Sequence, residues 1–166
     1  PSIVGNGLAR RGDVRVLALD VDHSATSFVR RLERADVAYE PVEAGAAGAV
    51  TRIADVVLVE ALAMDATRII VPSGSSTIAA AAFAWETPVW LVAGVGRRLP
   101  SLFVDAMVER RSSLAADHDD WTIDVEVLPA RFITTVVGPL GTMPMGPSAA
   151  QPECPFAADL LREVAM

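Results

Sequence analysis

Three groups of residues in this chain have the types and spacing to do chemistry. The first is Pro72-Ser73-Gly74-Ser75-Ser76-Thr77. A glycine followed by small hydroxyl residues at a helix start leaves backbone N–H groups free to hold an anion. Gly74, Ser75, Ser76 and Thr77 are the candidate ligand-binding residues there, for a phosphate or a carboxylate. The second group is the turn Gly94-Val95-Gly96-Arg97-Arg98. Gly94 and Arg97 are its candidates, with a guanidinium from Arg97 or Arg98 to assist the anion. The third group is acidic. Asp65, Asp20 and Glu60 stand beyond apolar runs and are weak candidates for acid/base work.

Other chemistry-bearing residues read more plainly. His23 follows Asp22, which suits a general base oriented by a carboxylate, but a helix-entry residue is the better reading. Asp117-His118-Asp119-Asp120 has metal-ligand residue types, yet the run is contiguous and polar, as in a solvated loop. One cysteine, Cys154, excludes an internal disulfide and a Cys-cluster metal site. There is no GxGxxG, P-loop, GxSxG or HExxH. The residues point to no metal and no cofactor.

The elements that must position these groups follow from the hydrophobic pattern. Val56–Val59 and Val89–Val92 are continuous apolar runs, which fits parallel strands buried on both faces. Strands are expected at Val14–Leu19, Val37–Val42 and Asp55–Glu60, with a helix over Ser27–Ala35 and a short helix or turn over Glu43–Thr51. Arg68–Val71 is an edge or hairpin strand. Ser75–Trp85 is an Ala-rich helix, ended before Pro88. Pro100 sits at the first position of the next helix, whose inner face is Leu102, Phe103, Ala106 and Met107. Thr122–Leu128 and Phe132–Val137 are strands. Gly138–Pro155 is too rich in Gly and Pro for lasting regular structure, and Pro155–Val164 is a short amphipathic helix. Alternating strands and helices give an α/β fold, Rossmann-like and three-layered, with a mainly parallel central sheet flanked by helices. Ligands in such sheets sit beyond the carboxyl ends of the strands, where all three groups fall.

Bulk properties narrow the function classes. At 166 residues, the chain is expected to be a single domain spanning 1–166. The net charge of −7 argues against direct nucleic-acid binding. No segment reaches the roughly 18 apolar residues of a membrane span. A cytoplasmic location is expected.

The Asp55–Leu99 stretch resembles the initiation factor 2B alpha/beta/delta family, which includes sugar-phosphate aldose–ketose isomerases. In VLVEALAMDATRIIVPSGSSTIAAAAFAWETPVWLVA, Gly74-Ser75 stands where the family has Gly-Thr opening an Ala-rich helix. VRVLALD, with Asp20, and ECPFAADLLREV resemble flanking family segments. The resemblance implies the family's C-terminal Rossmann-like domain, with its N-terminal helical domain missing or reduced. It implies a homodimer through that domain and a phosphorylated sugar or nucleotide as ligand. Glu60-Ala61-Leu62 replaces the family's Gly-Ala-Asp, whose Asp is the isomerases' acid/base, and Leu62 cannot transfer a proton. Pro72-Ser73 replaces Asn-Lys, and the isomerases' catalytic Cys falls upstream of Pro1. The expected function is a non-catalytic initiation factor 2B-like protein that binds a phosphorylated sugar or nucleotide, a protein partner, or both. The alternative is a sugar-phosphate isomerase with a diverged site.

Overall fold

The computed structural model describes residues 10–20, 26–117 and 123–157, with Val4, Gly7 and Leu8; side chains at 114–117 are outside the description. Asp22, His23, residues 118–120 and most of the expected C-terminal helix lie outside the described residues.

The principal sheet has four strands in the order β3-β6-β8-β9. β3 (Val57–Glu60), β6 (Val89–Val92) and β8 (Thr135–Gly138) run parallel, and β9 (Gly141–Pro144) returns antiparallel to β8. The antiparallel sheet beside it has the order β4-β5-β7: β4 (Ala63–Met64), β5 (Arg68–Pro72) and β7 (Val125–Pro129). β1 (Arg15–Asp20) and β2 (Ala38–Glu43) form a separate parallel pair joined by α1 (Thr26–Arg34). The other helices are α2 (Ala47–Ile53), α3 (Ser75–Ala84) and α4 (Ser101–Asp117). This is the expected α/β class, with the strands divided among three hydrogen-bonded sheets.

The core lies between the principal sheet, α3 and the antiparallel sheet. Val57, Val59, Val89, Leu91 and Val136 meet Ala79 and Ala82 of α3 and Met64, Ile69, Val71 and Leu128. Ala79 and Ala82 are fully buried, and their small size lets α3 lie close. The opposite face of the principal sheet differs from expectation. Leu58 and Trp90 are register partners, and each is more than one-third exposed. These strands are therefore fully covered on one face only.

Of the edge or hairpin strand expected at Arg68–Val71, the hairpin forms, with β4 across the Asp65–Thr67 turn, and β5 is not an edge. It pairs with β4 on one side and β7 on the other. Its alternating side chains fill two cores: Ile69 and Val71 enter the main one, while Ile70 packs with Ala63 and Val104. That second core also corrects the inner face of α4. Val104 is buried, whereas Leu102 and Met107 are exposed. Pro100 stands just before α4, its carbonyl accepting from the Phe103 N–H at 2.9 Å.

The Gly/Pro-rich segment is more ordered than its composition suggests. Gly138↔Gly141 closes a hairpin around Pro139 and Leu140, with Gly141 at φ 114. Pro144 is tolerated because β9 is an edge strand. Ala149 and Ala150 then join the main core. Among the described residues no helix is long and apolar enough to cross a membrane.

Candidate functional site

The Gly74 turn forms as the sequence suggests. Gly74 adopts φ 83, a left-handed conformation that favours glycine, and α3 starts at Ser75. Its anion belongs to the chain itself. β5 and β7 pair with Val71 opposite Glu126, which brings that carboxylate to the helix start. The Gly74 N–H donates to Glu126 Oε1 at 2.9 Å, and the Ser76 N–H donates to Oε2 at 2.8 Å. Both carboxylate oxygens cap the positive end of α3. Ser75 and Ser76 are half-buried beside it, and Thr77 is exposed. Sequence reasoning missed Glu126; the signal was a lone carboxylate inside the apolar run Val125-Glu126-Val127-Leu128.

Asp65 is placed elsewhere. It lies in the turn before β5, whereas Gly74 follows β5. Four residue steps of extended strand span roughly 13 Å, so the structure does not bring these two candidates together. Asp65 is 2% exposed. One oxygen accepts from the Thr67 N–H at 2.8 Å, the Arg68 N–H at 2.8 Å and the Thr67 hydroxyl at 3.1 Å. The other pairs with Arg68 Nη2 at 2.7 Å. Arg68 also pairs with Asp105 of α4. Burial pushes the Asp65 carboxyl up, but the bonds from Thr67 and Arg68 outweigh it and hold the group below its usual range. Such a carboxylate builds a turn; it is poorly suited to exchanging a proton near neutrality.

The Gly94–Arg98 turn has an internal occupant too. The Gly96 N–H donates to Glu153 Oε2 at 2.6 Å, and Arg98 Nη2 pairs with Oε1. The Glu153 N–H returns a bond to the Arg98 carbonyl at 2.9 Å. Burial pushes the Glu153 carboxyl up, and Arg98 with the Gly96 N–H brings it below its usual value. Arg97 turns to the protein, donating to the Leu62 carbonyl at 2.9 Å. Met64 joins this loop to β4: its N–H donates to the Arg97 carbonyl at 2.7 Å. The Asp65 turn and the Gly94–Arg97 turn are thus neighbours through β4.

Asp20 ends β1 and Glu60 ends β3; both are half-buried. An open cleft of about 430 Å³ is lined by Asp65, Leu99, Ser101, Ser148 and Gln151, among others. Asp20, Glu60, the Gly74 turn and Arg97 do not line it. Among the described residues no three His, Cys, Asp or Glu side chains are grouped to hold a metal ion.

No family model matches the sequence, and no curated protein matches it. Solved structures do. Translation initiation factor eIF-2B from Pyrococcus horikoshii OT3 superposes with a TM-score of 0.66 at 16% identity, over 90% of this chain and 55% of its own. eIF2B beta from Chaetomium thermophilum gives 0.64 at 16% identity, over 87% of this chain and 43% of its own. The 5-methylthioribose 1-phosphate isomerase from Pyrococcus horikoshii OT3 gives 0.55 at 16% identity, over 76% of this chain and 40% of its own. The chain spans about half the length of these proteins. Its fold is the one that these eIF-2B proteins and this isomerase share, as the resemblance of Asp55–Leu99 implied.

Proposed function

We propose that this chain is a non-catalytic initiation factor 2B-like protein that acts by binding a protein partner. One observation carries the reading: Glu126 fills the helix start where a ligand phosphate would sit. A phosphate arriving there meets a carboxylate already bonded to the Gly74 and Ser76 N–H groups, and like charges at that distance repel. Asp65, the nearest replacement for the acid/base that Leu62 lacks, is consumed by Thr67 and Arg68 at the other end of β5. A protein partner is in keeping with one solved neighbour at 17% identity, the tetrameric eIF2B-beta2-delta2 complex from C. thermophilum. The homodimer implied by the resemblance would make a second copy the partner.

Melting curves and a turnover assay test the proposal. With millimolar ribose 5-phosphate, ribose 1,5-bisphosphate or AMP, the melting temperature is expected to stay unchanged, because a ligand that binds the native state raises it. Methylthioribose 1-phosphate is expected to be left unconverted. A rise with any phosphorylated ligand, or conversion that Asp65→Asn abolishes, overturns the reading. Sedimentation velocity separates a second copy from another partner.

A further inference from the structure

α4 carries an apolar stripe that its core does not use. Val104 is buried and Val108 packs against the second core, which fixes the inner side of the helix. Turning about 100° per residue, Phe103, Ala106, Met107 and Arg110 line up along another side. Phe103 and Ala106 are half-buried, Met107 is 40% exposed, and Arg110 is exposed. Arg110 has no carboxylate partner among the described residues. The neighbouring charges do not compensate it. Asp105 is held by Arg68, Arg111 bonds the Val125 carbonyl, and Glu109 stands about 100° round the helix from Arg110.

The chain itself delivers a segment to the start of this stripe. Glu153 is pinned by the Gly96 N–H and by Arg98, so the residues that follow leave from a fixed point. Three residues on, the Phe156 ring lies 5.6 Å from the Phe103 ring. Phe156 is still 49% exposed. The sequence then continues as ADLLREVAM. In the amphipathic helix expected there, Leu160, Leu161 and Val164 share one face, and Glu163 flanks it. Only Ser101 and Leu102 of α4 precede Phe103, so a segment leaving Phe156 follows α4 only by running in the same direction. Arg110 stands seven residues beyond Phe103, about 10 Å along the helix. Glu163 stands seven residues beyond Phe156, which matches that span to within a turn.

We propose that this stripe is the docking site of the chain's own segment 158–166. Leu160 and Leu161 would lie over Ala106 and Met107, and Glu163 would pair with Arg110. Leu102 precedes Phe103 and stays outside the contact. Position, length and charge select this occupant. Phe156 already holds the first place on the stripe, the segment is long enough to reach its far end, and it brings a carboxylate to the arginine there. The inference goes beyond the partner-binding reading and stands without it. It removes this side of α4 from the surfaces open to a partner.

The unmodified full chain gives the first test. NOEs are expected between the Met107 methyl and the methyls of Leu160 or Leu161. Cross-linking gives the second, in the full chain with Cys154→Ser to remove the native exposed thiol. Met107→Cys with Leu160→Cys is expected to close within one chain, through a short bismaleimide, about tenfold faster than Ser112→Cys with Leu160→Cys, because docking raises the local concentration. Ser112 is exposed on the other side of α4. Arg110→Glu is expected to slow closure about two- to fivefold, and Arg110→Glu with Glu163→Arg to restore it. Melting curves check that each variant folds, and the NOEs of the unmodified chain decide if one does not. Absent NOEs, equal closure of the two cysteine pairs, or no rescue by Glu163→Arg overturns the inference. So does a cross-link between two chains that dilution abolishes, which makes a second copy the occupant.

Discussion

At the residue scale, the Glu126 carboxylate accepts from two backbone N–H groups at the start of α3. Glu126→Ala leaves those donors without the charged cap and is expected to cost about 1–3 kcal/mol in denaturant unfolding. Inorganic phosphate should then stabilise that variant more than the parent chain, since the emptied helix start accepts an anion. Gly74→Ala forces a side chain into the left-handed region and is expected to cost about 1–2 kcal/mol. Asp65 and Glu153 carry a pH signature. Both carboxyls are held below their usual values, so the native chain binds these protons more weakly than the unfolded chain. Their stabilisation is fully present above the unfolded carboxylate value, about 4, and is lost as pH falls through the lower native values. Asp65→Asn should lower stability at neutral pH and flatten the acid limb of a stability–pH curve.

At the element scale, burial decides which substitutions matter. Ile69→Ala opens a cavity under β5 and is expected to cost about 2–5 kcal/mol. Leu102→Ala, on the exposed side of α4, should stay within about 0.5 kcal/mol. Denaturant midpoints compare the two. The contrast also shows what the sequence could carry. Apolar runs located β3 and β6, and Gly74 before an Ala-rich run located the start of α3, because these are local signals. The facing of α4 depends on Val104 meeting Ile70 and Ala63, which no spacing within α4 reveals. The exposure of Leu58 and Trp90 depends on what covers the sheet, and a continuous apolar run cannot report that. Glu126 lies 52 and 50 residues from the Gly74 and Ser76 N–H groups, and Glu153 lies 57 residues from that of Gly96. Their role needs the β5–β7 register and the packing of the Gly/Pro-rich segment, neither of which is written locally.

At the scale of the whole molecule, one core ties α3 and the principal sheet to the antiparallel sheet, while Ala18, Leu32 and Val37 are buried outside it. Amides of β1, α1 and β2 are therefore expected to exchange with deuterium before those of β3, β6 and β8. Equal protection across both sets would show a single cooperative unit. The fold is shared with eIF-2B proteins and an isomerase, and fold alone does not choose between binding and catalysis. The choice rests on the two turns where ligands would sit, and each holds a carboxylate of the chain itself. The most direct measurement follows the backbone amide resonances of Gly74, Ser76 and Gly96 while ribose 5-phosphate and AMP are titrated in at neutral pH. The account expects all three to stay in place to millimolar ligand. Saturable shifts at Gly74 and Ser76, with Glu126 displaced, would contradict it.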